Sequence, residues 1–224
     1  MLITRRSSTH WGGLNEFVSL GLKRNRGWPW PESSYGLDPM FGEDGWCRDC
    51  GMPLREQRGP LVLGRKGLAT ISGAWVPYGR YDIICLEQSI ADEAAARFTL
   101  DLRPVEWRGF PPGSASQIVI PAVGTQWFDA DELRAASIGR NGSDGARCPG
   151  CNRWRWMPVP VVLLPPFRIE PSLGDVDIAA SPEWFGDGWN SFREVLVRRE
   201  LAELLAEASP RDFDFAEVKM ASPR

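Results

Sequence analysis

Two cysteine pairs, Cys47-Arg48-Asp49-Cys50 and Cys148-Pro149-Gly150-Cys151, carry the clearest chemistry in this sequence. Thiolates spaced C-x-x-C grip one ion from a single tight turn. Two such turns supply a tetrahedral shell with zinc–sulfur bonds of about 2.3 Å. Four protein thiolates leave no coordination position for water, so the spacing predicts a structural Zn2+ ion and not a catalytic one. The two turns lie about a hundred residues apart, and fastening them restricts the unfolded chain by about 4 to 5 kcal/mol on the scale of a crosslink. A redox dithiol is the competing reading of the same residues. Gly51 follows the first pair, where a left-handed backbone is expected; Asn152, the next best residue type there, follows the second.

The other nucleophiles and bases point away from catalysis. Cys85 lies in an apolar stretch and reads as a small buried hydrophobe. His10, the one histidine, stands among Ser8, Thr9 and Trp11 and reads as an exposed or capping residue. The sequence contains no G-x-S-x-G, H-E-x-x-H or Walker loop, and no G-x-G-x-x-G after a strand. Residues 59–67 mix glycine with Arg65 and Lys66 but lack phosphate-loop spacing, and a hairpin is expected there. The carboxylate pairs Asp129 with Asp131 and Glu43 with Asp44 read as solvated loop charges. No catalytic residues, and hence no enzyme, are expected.

Elements able to hold the two turns together must come from the whole chain. Its 224 residues are 43% hydrophobic, enough for one substantial core. Frequent Pro and Gly exclude long helices over most of the length. Residues 1–45 look irregular. Residues 81–86 read as a strand, 89–98 as a short helix and 100–107 as a strand. The same order recurs at an offset of 111 residues: 194–198 as a strand, 200–208 as a helix with Leu201, Leu204, Leu205 and Ala208 on one face, and 213–218 as a strand. Helices this short need a sheet beneath them. Further strands are expected at 117–120 and, broken by Pro160, at 159–164. Asp129 and Glu132 have capping-box spacing and begin a brief helix through Ala136; residues 139–145 read as a flexible loop. The expectation is one α+β domain over 1–224, a mixed sheet with short helices stapled by knuckles at 47–51 and 148–152.

Charge and aromatic content bear on partners. The net charge of −3 gives no overall basic excess, so direct nucleic-acid binding is disfavoured. The N-terminal residues lack a signal-peptide core and no segment is apolar enough to span a membrane, which together with reduced thiols predicts a cytoplasmic protein. The last fifty residues lean acidic. Within them Glu183-Trp184-Phe185-Gly186-Asp187-Gly188-Trp189 combines aromatic rings and acids on a glycine-flexed turn, suited either to sealing a core or to gripping a basic partner. Glu183, Trp184, Phe185, Asp187 and Trp189 are therefore the candidate partner-binding residues. A second reading rests on Arg147, Arg153, Trp154, Arg155 and Trp156 beside the second knuckle, which supply the cations and stacking rings of a zinc-ribbon nucleic-acid or transcription-associated module.

The two knuckles, Cys47 to Gly51 and Cys148 to Asn152, together with Val195-Leu196-Val197-Arg198-Arg199-Glu200-Leu201 and Phe215-Ala216-Glu217-Val218, resemble the double-CXXCG motif proteins, a family abundant in myxobacteria. The likeness runs from about Trp46 onward, and Asn152 departs from the motif's closing glycine. The resemblance implies an immunity protein that binds and neutralises a cognate bacterial toxin domain, often a nuclease.

Overall fold

The computed structural model describes residues 16–64, 72–109, 115–168, 173, 176–219 and 221. Along the chain run β1 (Phe17–Leu22), α1 (Leu37–Phe41), β2 (Val62–Leu63), β3 (Ala74–Trp75), β4 (Ile84–Glu87), α2 (Gln88–Arg97), β5 (Asp101–Pro104), β6 (Glu106–Trp107) and β7 (Ala115–Val119). They are followed by α3 (Ala130–Asn141), β8 (Gly145–Arg147), β9 (Trp154–Trp156), β10 (Ile178–Ala180), β11 (Val195–Arg198), α4 (Arg199–Ala208) and β12 (Phe213–Glu217). The fold is α+β.

Two four-stranded antiparallel sheets dominate, in the orders β3-β4-β7-β5 and β10-β11-β1-β12. Each is a split β-α-β arrangement: two strands joined by a helix flank a third that runs the other way. In the first sheet the middle strand, β7, follows β5 in sequence; in the second it is β1, from the other end of the described chain. The sheets are also tied to each other reciprocally. Backbone just past β1 pairs with backbone just past β3, with Arg26 N–H donating to Val76 O at 2.9 Å. Backbone past β7 pairs with β10, with Val123 N–H donating to Ala180 O at 3.1 Å.

Strand alternation assigns each face. In β4, Ile84 and Leu86 enter the core shared with both helices, while Cys85 faces Trp75 and Trp107 on the outer side. In β11, Val195 and Val197 enter that same core, while Leu196 faces Trp127, Phe128 and Phe185. The helices close it: α4 inserts Leu201, Leu204 and Leu205, and α2 inserts Ala91 and Ala94. Phe98, at the end of α2, adds a ring.

Several sequence expectations change. Residues 1–45 are not irregular throughout, because β1 is a central strand. Residues 159–164 are not a strand: Pro158 and Pro160 remove ladder donors, and 161–163 form a 3-10 turn that leaves Val162 and Leu163 exposed. The brief helix at Asp129 continues to Asn141, so 139–141 belong to α3, Gly145 opens β8, and only 142–144 of the supposed loop are loop. Its start is capped by the Asp129 carboxylate, which accepts from the N–H groups of Asp131 and Glu132. Val62 and Leu63 pair in parallel with β6 instead of making a hairpin, and 65–67 lie outside the described residues, as does His10.

Candidate metal centre

Each cysteine pair sits on a small antiparallel hairpin. Trp46 bridges Pro53 around the first pair, and β8 pairs with β9 around the second. The local geometry is matched. Cys47 N–H donates to Met52 O at 2.8 Å and Cys148 N–H to Arg153 O at 3.0 Å. The turns close through Gly51 N–H to Cys47 O and Asn152 N–H to Cys148 O, both at 2.8 Å. Gly51 (φ 69°) and Asn152 (φ 57°) both occupy the left-handed region expected of them.

These hairpins bring all four sulfurs within 4.8 Å of one another. Cys47 Sγ stands 3.6 Å from Cys148 Sγ, and Cys50 Sγ 3.8 Å from Cys151 Sγ. Sulfurs on a tetrahedron with arms of about 2.3 Å stand about 3.8 Å apart, so the cluster has the dimensions of a single-ion shell. The four cysteines are positioned to hold a metal ion. Backbone N–H groups already point at the sulfurs: Met52 donates to Cys50 and Arg153 to Cys151. Burial raises the Cys50 and Cys151 thiols. At Cys148 burial acts in the same sense but is outweighed by the N–H groups of Cys151 and Gly150 and by the neighbouring thiols, which bring it down to about 7. Such a thiol ionises near neutrality, and a thiolate is the form that binds metal. Cys85 is fully buried away from the cluster, and burial alone raises its thiol.

The aromatic loop lies over this cluster. Trp184 packs beside Cys47, Cys50 and Cys148, and Trp189 meets Trp46 edge-on with ring centroids 5.4 Å apart. Ser191 Oγ donates to Cys50 O at 2.7 Å. Glu183 turns inward, accepting from Trp127 N–H at 2.7 Å and Phe128 N–H at 3.3 Å, and burial raises its carboxyl. Phe185 is wholly buried in the second core. Of the five loop residues named as partner-binding candidates, Glu183, Trp184 and Phe185 are thus committed to the interior. Trp189 is half-buried against the first knuckle, and Asp187 alone is freely exposed. The loop's aromatic content serves sealing, because each inward ring removes a large apolar area from water.

The Arg and Trp cluster is similarly occupied. Arg147 donates to Asn152 O at 3.0 Å, Arg153 to Pro53 O at 3.4 Å, and Arg155 to Gly188 O at 2.8 Å. Trp154 and Trp156 pack edge-to-face and half-buried. These guanidinium groups clamp loops of their own chain around the knuckles.

Sequence reasoning missed a second set of polar groups. Glu194 is buried, and burial pushes its carboxyl up to about 8. Arg80 is only 3% exposed. The one available sign was a charged residue inside or next to an apolar strand, as Glu194 stands before Val195-Leu196-Val197.

Comparison with known protein families, with curated proteins and with solved structures finds no match to this chain. Among the described residues no helix is long and apolar enough to cross a membrane.

Proposed function

We propose that this chain is an immunity-type binding protein, a scaffold pinned by structural zinc that neutralises a toxin domain by covering a basic surface on it. Zinc is the ion we assign because an all-thiolate tetrahedral donor set suits it and disfavours hard cations. Four thiolates fill such a shell, so the ion's role is to staple 47–50 onto the β8–β9 hairpin. The reading of a nucleic-acid module is weaker, since its guanidinium groups already serve backbone carbonyls nearby.

The observation that carries the binding role is the solvent face of the helices. Asp92 and Glu93 on α2 and Glu200, Glu203 and Glu207 on α4 are all exposed, and the two helices touch. The local cations are engaged, Arg97 with Glu93 and Arg199 with Glu217. An acidic surface of this kind steers a basic partner and rejects acidic ones. It replaces the 183–189 loop as the face offered to a toxin. The test is co-expression with a toxin domain encoded by an adjacent gene, coupled to pull-down of the complex. Wild type is expected to restore growth. Glu203→Lys with Glu207→Lys is expected to slow association about tenfold or more at low salt while leaving the melting temperature nearly unchanged. Absence of both protection and complex with the adjacent gene product defeats the reading.

A further inference from the structure

A cleft of about 810 Å³ opens next to the metal centre, a volume that suits a small organic molecule. Its walls are partly apolar, with Met40, Ile83, Ile118 and Trp184 all buried. Its charge is opposite in sign to that of the whole chain. Arg80 and Arg193 line it with Asp82 as the carboxylate between them in effect, since Asp82 interacts electrostatically with both. Nearer the solvent, Arg55, Arg103 and Arg153 outnumber Glu56 and Asp101.

Among the described residues, each of the two inner guanidinium groups has one buried nitrogen without a hydrogen-bond partner. Arg80 is only 3% exposed, yet among the described residues its Nε donates to the adjacent Gly79 O at 2.6 Å and its Nη2 has no hydrogen-bond partner. Arg193 lies over Trp184, its Cζ 4.2 Å from the ring centroid, and its Nε is also buried and, among the described residues, unpartnered. Neither forms an ion pair with a carboxylate among the described residues. Burial raises the Asp82 carboxyl, against the pull of Arg80 and Arg193. Leaving a buried charged donor unpaired is costly, and a planar guanidinium is shaped for a carboxylate or phosphate.

We propose that this cleft is a binding site for a small organic anion, with an acidic head group held by Arg80 and Arg193 and a compact apolar body lying against Ile83 and Trp184. Carboxylate and phosphate heads share this chemistry. Arg80 and Asp82 come from the turn before β4 and Arg193 from the approach to β11, so the ligand bridges the two sheets. Pro53 and Arg153, each beside a knuckle, also line the cleft, which makes the metal centre part of its frame.

The test uses the zinc-loaded full chain, titrated with benzoate, phenyl phosphate and neutral benzyl alcohol by calorimetry and by Trp fluorescence. At least one anion is expected to bind saturably, at least about tenfold more tightly than benzyl alcohol, and the preferred anion identifies the head group. Arg193→Gln, at a half-buried position, is expected to weaken that anion about tenfold or more, the loss of one charge-assisted hydrogen bond, and to leave benzyl alcohol unaffected. Arg80→Gln is expected to do the same where it folds. Equal affinity for neutral and anionic probes, no saturable anion binding, or unchanged anion affinity in Arg193→Gln would overturn the proposal.

Discussion

Trp189 donates its indole N–H to the backbone carbonyl of Arg48 at 2.7 Å, so a loop from the C-terminal third of the chain is bonded to the turn that carries Cys47 and Cys50. Groups that fix metal-bearing turns govern how firmly the ion is held. Trp189→Ala is expected to release the proposed zinc to a chelator about tenfold faster than wild type, read by a colorimetric zinc indicator, while far-ultraviolet circular dichroism changes little.

Removing the proposed zinc is expected to act on the whole fold. Structural zinc contributes on the order of 10 kcal/mol in small peptides, comparable with a domain's total stability. Chelation, or Cys148→Ser, is expected to lower stability by at least several kcal/mol in denaturant titration, with about one zinc per chain lost by elemental analysis. An unchanged unfolding curve in zinc-free protein would contradict the staple.

Gly51 and Asn152 offer a paired comparison. Both have positive φ, but a Cβ on Gly51 would stand 2.5 Å from Trp189 O. Gly51→Ala is expected to cost about 1–3 kcal/mol, from left-handed strain and from displacement of that loop. Asn152→Gly relieves strain without making a clash and is expected to stay within about 1 kcal/mol of wild type. A loss in Gly51→Ala no larger than that in Asn152→Ala would show that left-handed strain, and not the Trp189 contact, sets the requirement.

Glu194 makes stability depend on pH in a particular sense. Its folded carboxyl is raised by burial to about 8 from an ordinary 4.5. Between those values the folded state keeps a proton that the unfolded state releases, so stability falls as pH rises from about 4.5 to about 8, then levels off. Glu194→Gln is expected to flatten this slope and to gain a few kcal/mol at pH 8 relative to wild type. Parallel stability–pH curves for the two proteins would rule this out.

What the sequence made readable was local. Leu201, Leu204 and Leu205 recur on one helical face, and the observed α4 starts within a residue of the expected boundary. The C-x-x-C turns were legible because four identical ligands at fixed spacing have few uses. Relationships between distant segments were not. β1 contains Ser19 and Gly21, poor strand formers, and is a strand because β11 and β12 flank it. At Gly21 a side chain would meet Asp214 O at 2.6 Å, a close approach that no local pattern announces. Residues 159–164 misled in the opposite direction, since their valines and leucines favour a strand that the prolines forbid. The cleft escaped notice for the same reason as β1: Arg80 and Arg193 are remote in sequence, and only the packed sheets make them neighbours.

The origin of the two middle strands gives the halves of the molecule different histories during synthesis. Everything needed to pair β3, β4, β5 and β7 lies between residues 74 and 119, so that sheet can assemble while translation continues. Among the described strands β1 is the first to be synthesised, yet its mates β11 and β12 are the last two. Until those strands are made, the apolar Phe17, Val18 and Leu20 lack their sheet neighbours, and an unpaired apolar segment of this kind is open to pairing elsewhere.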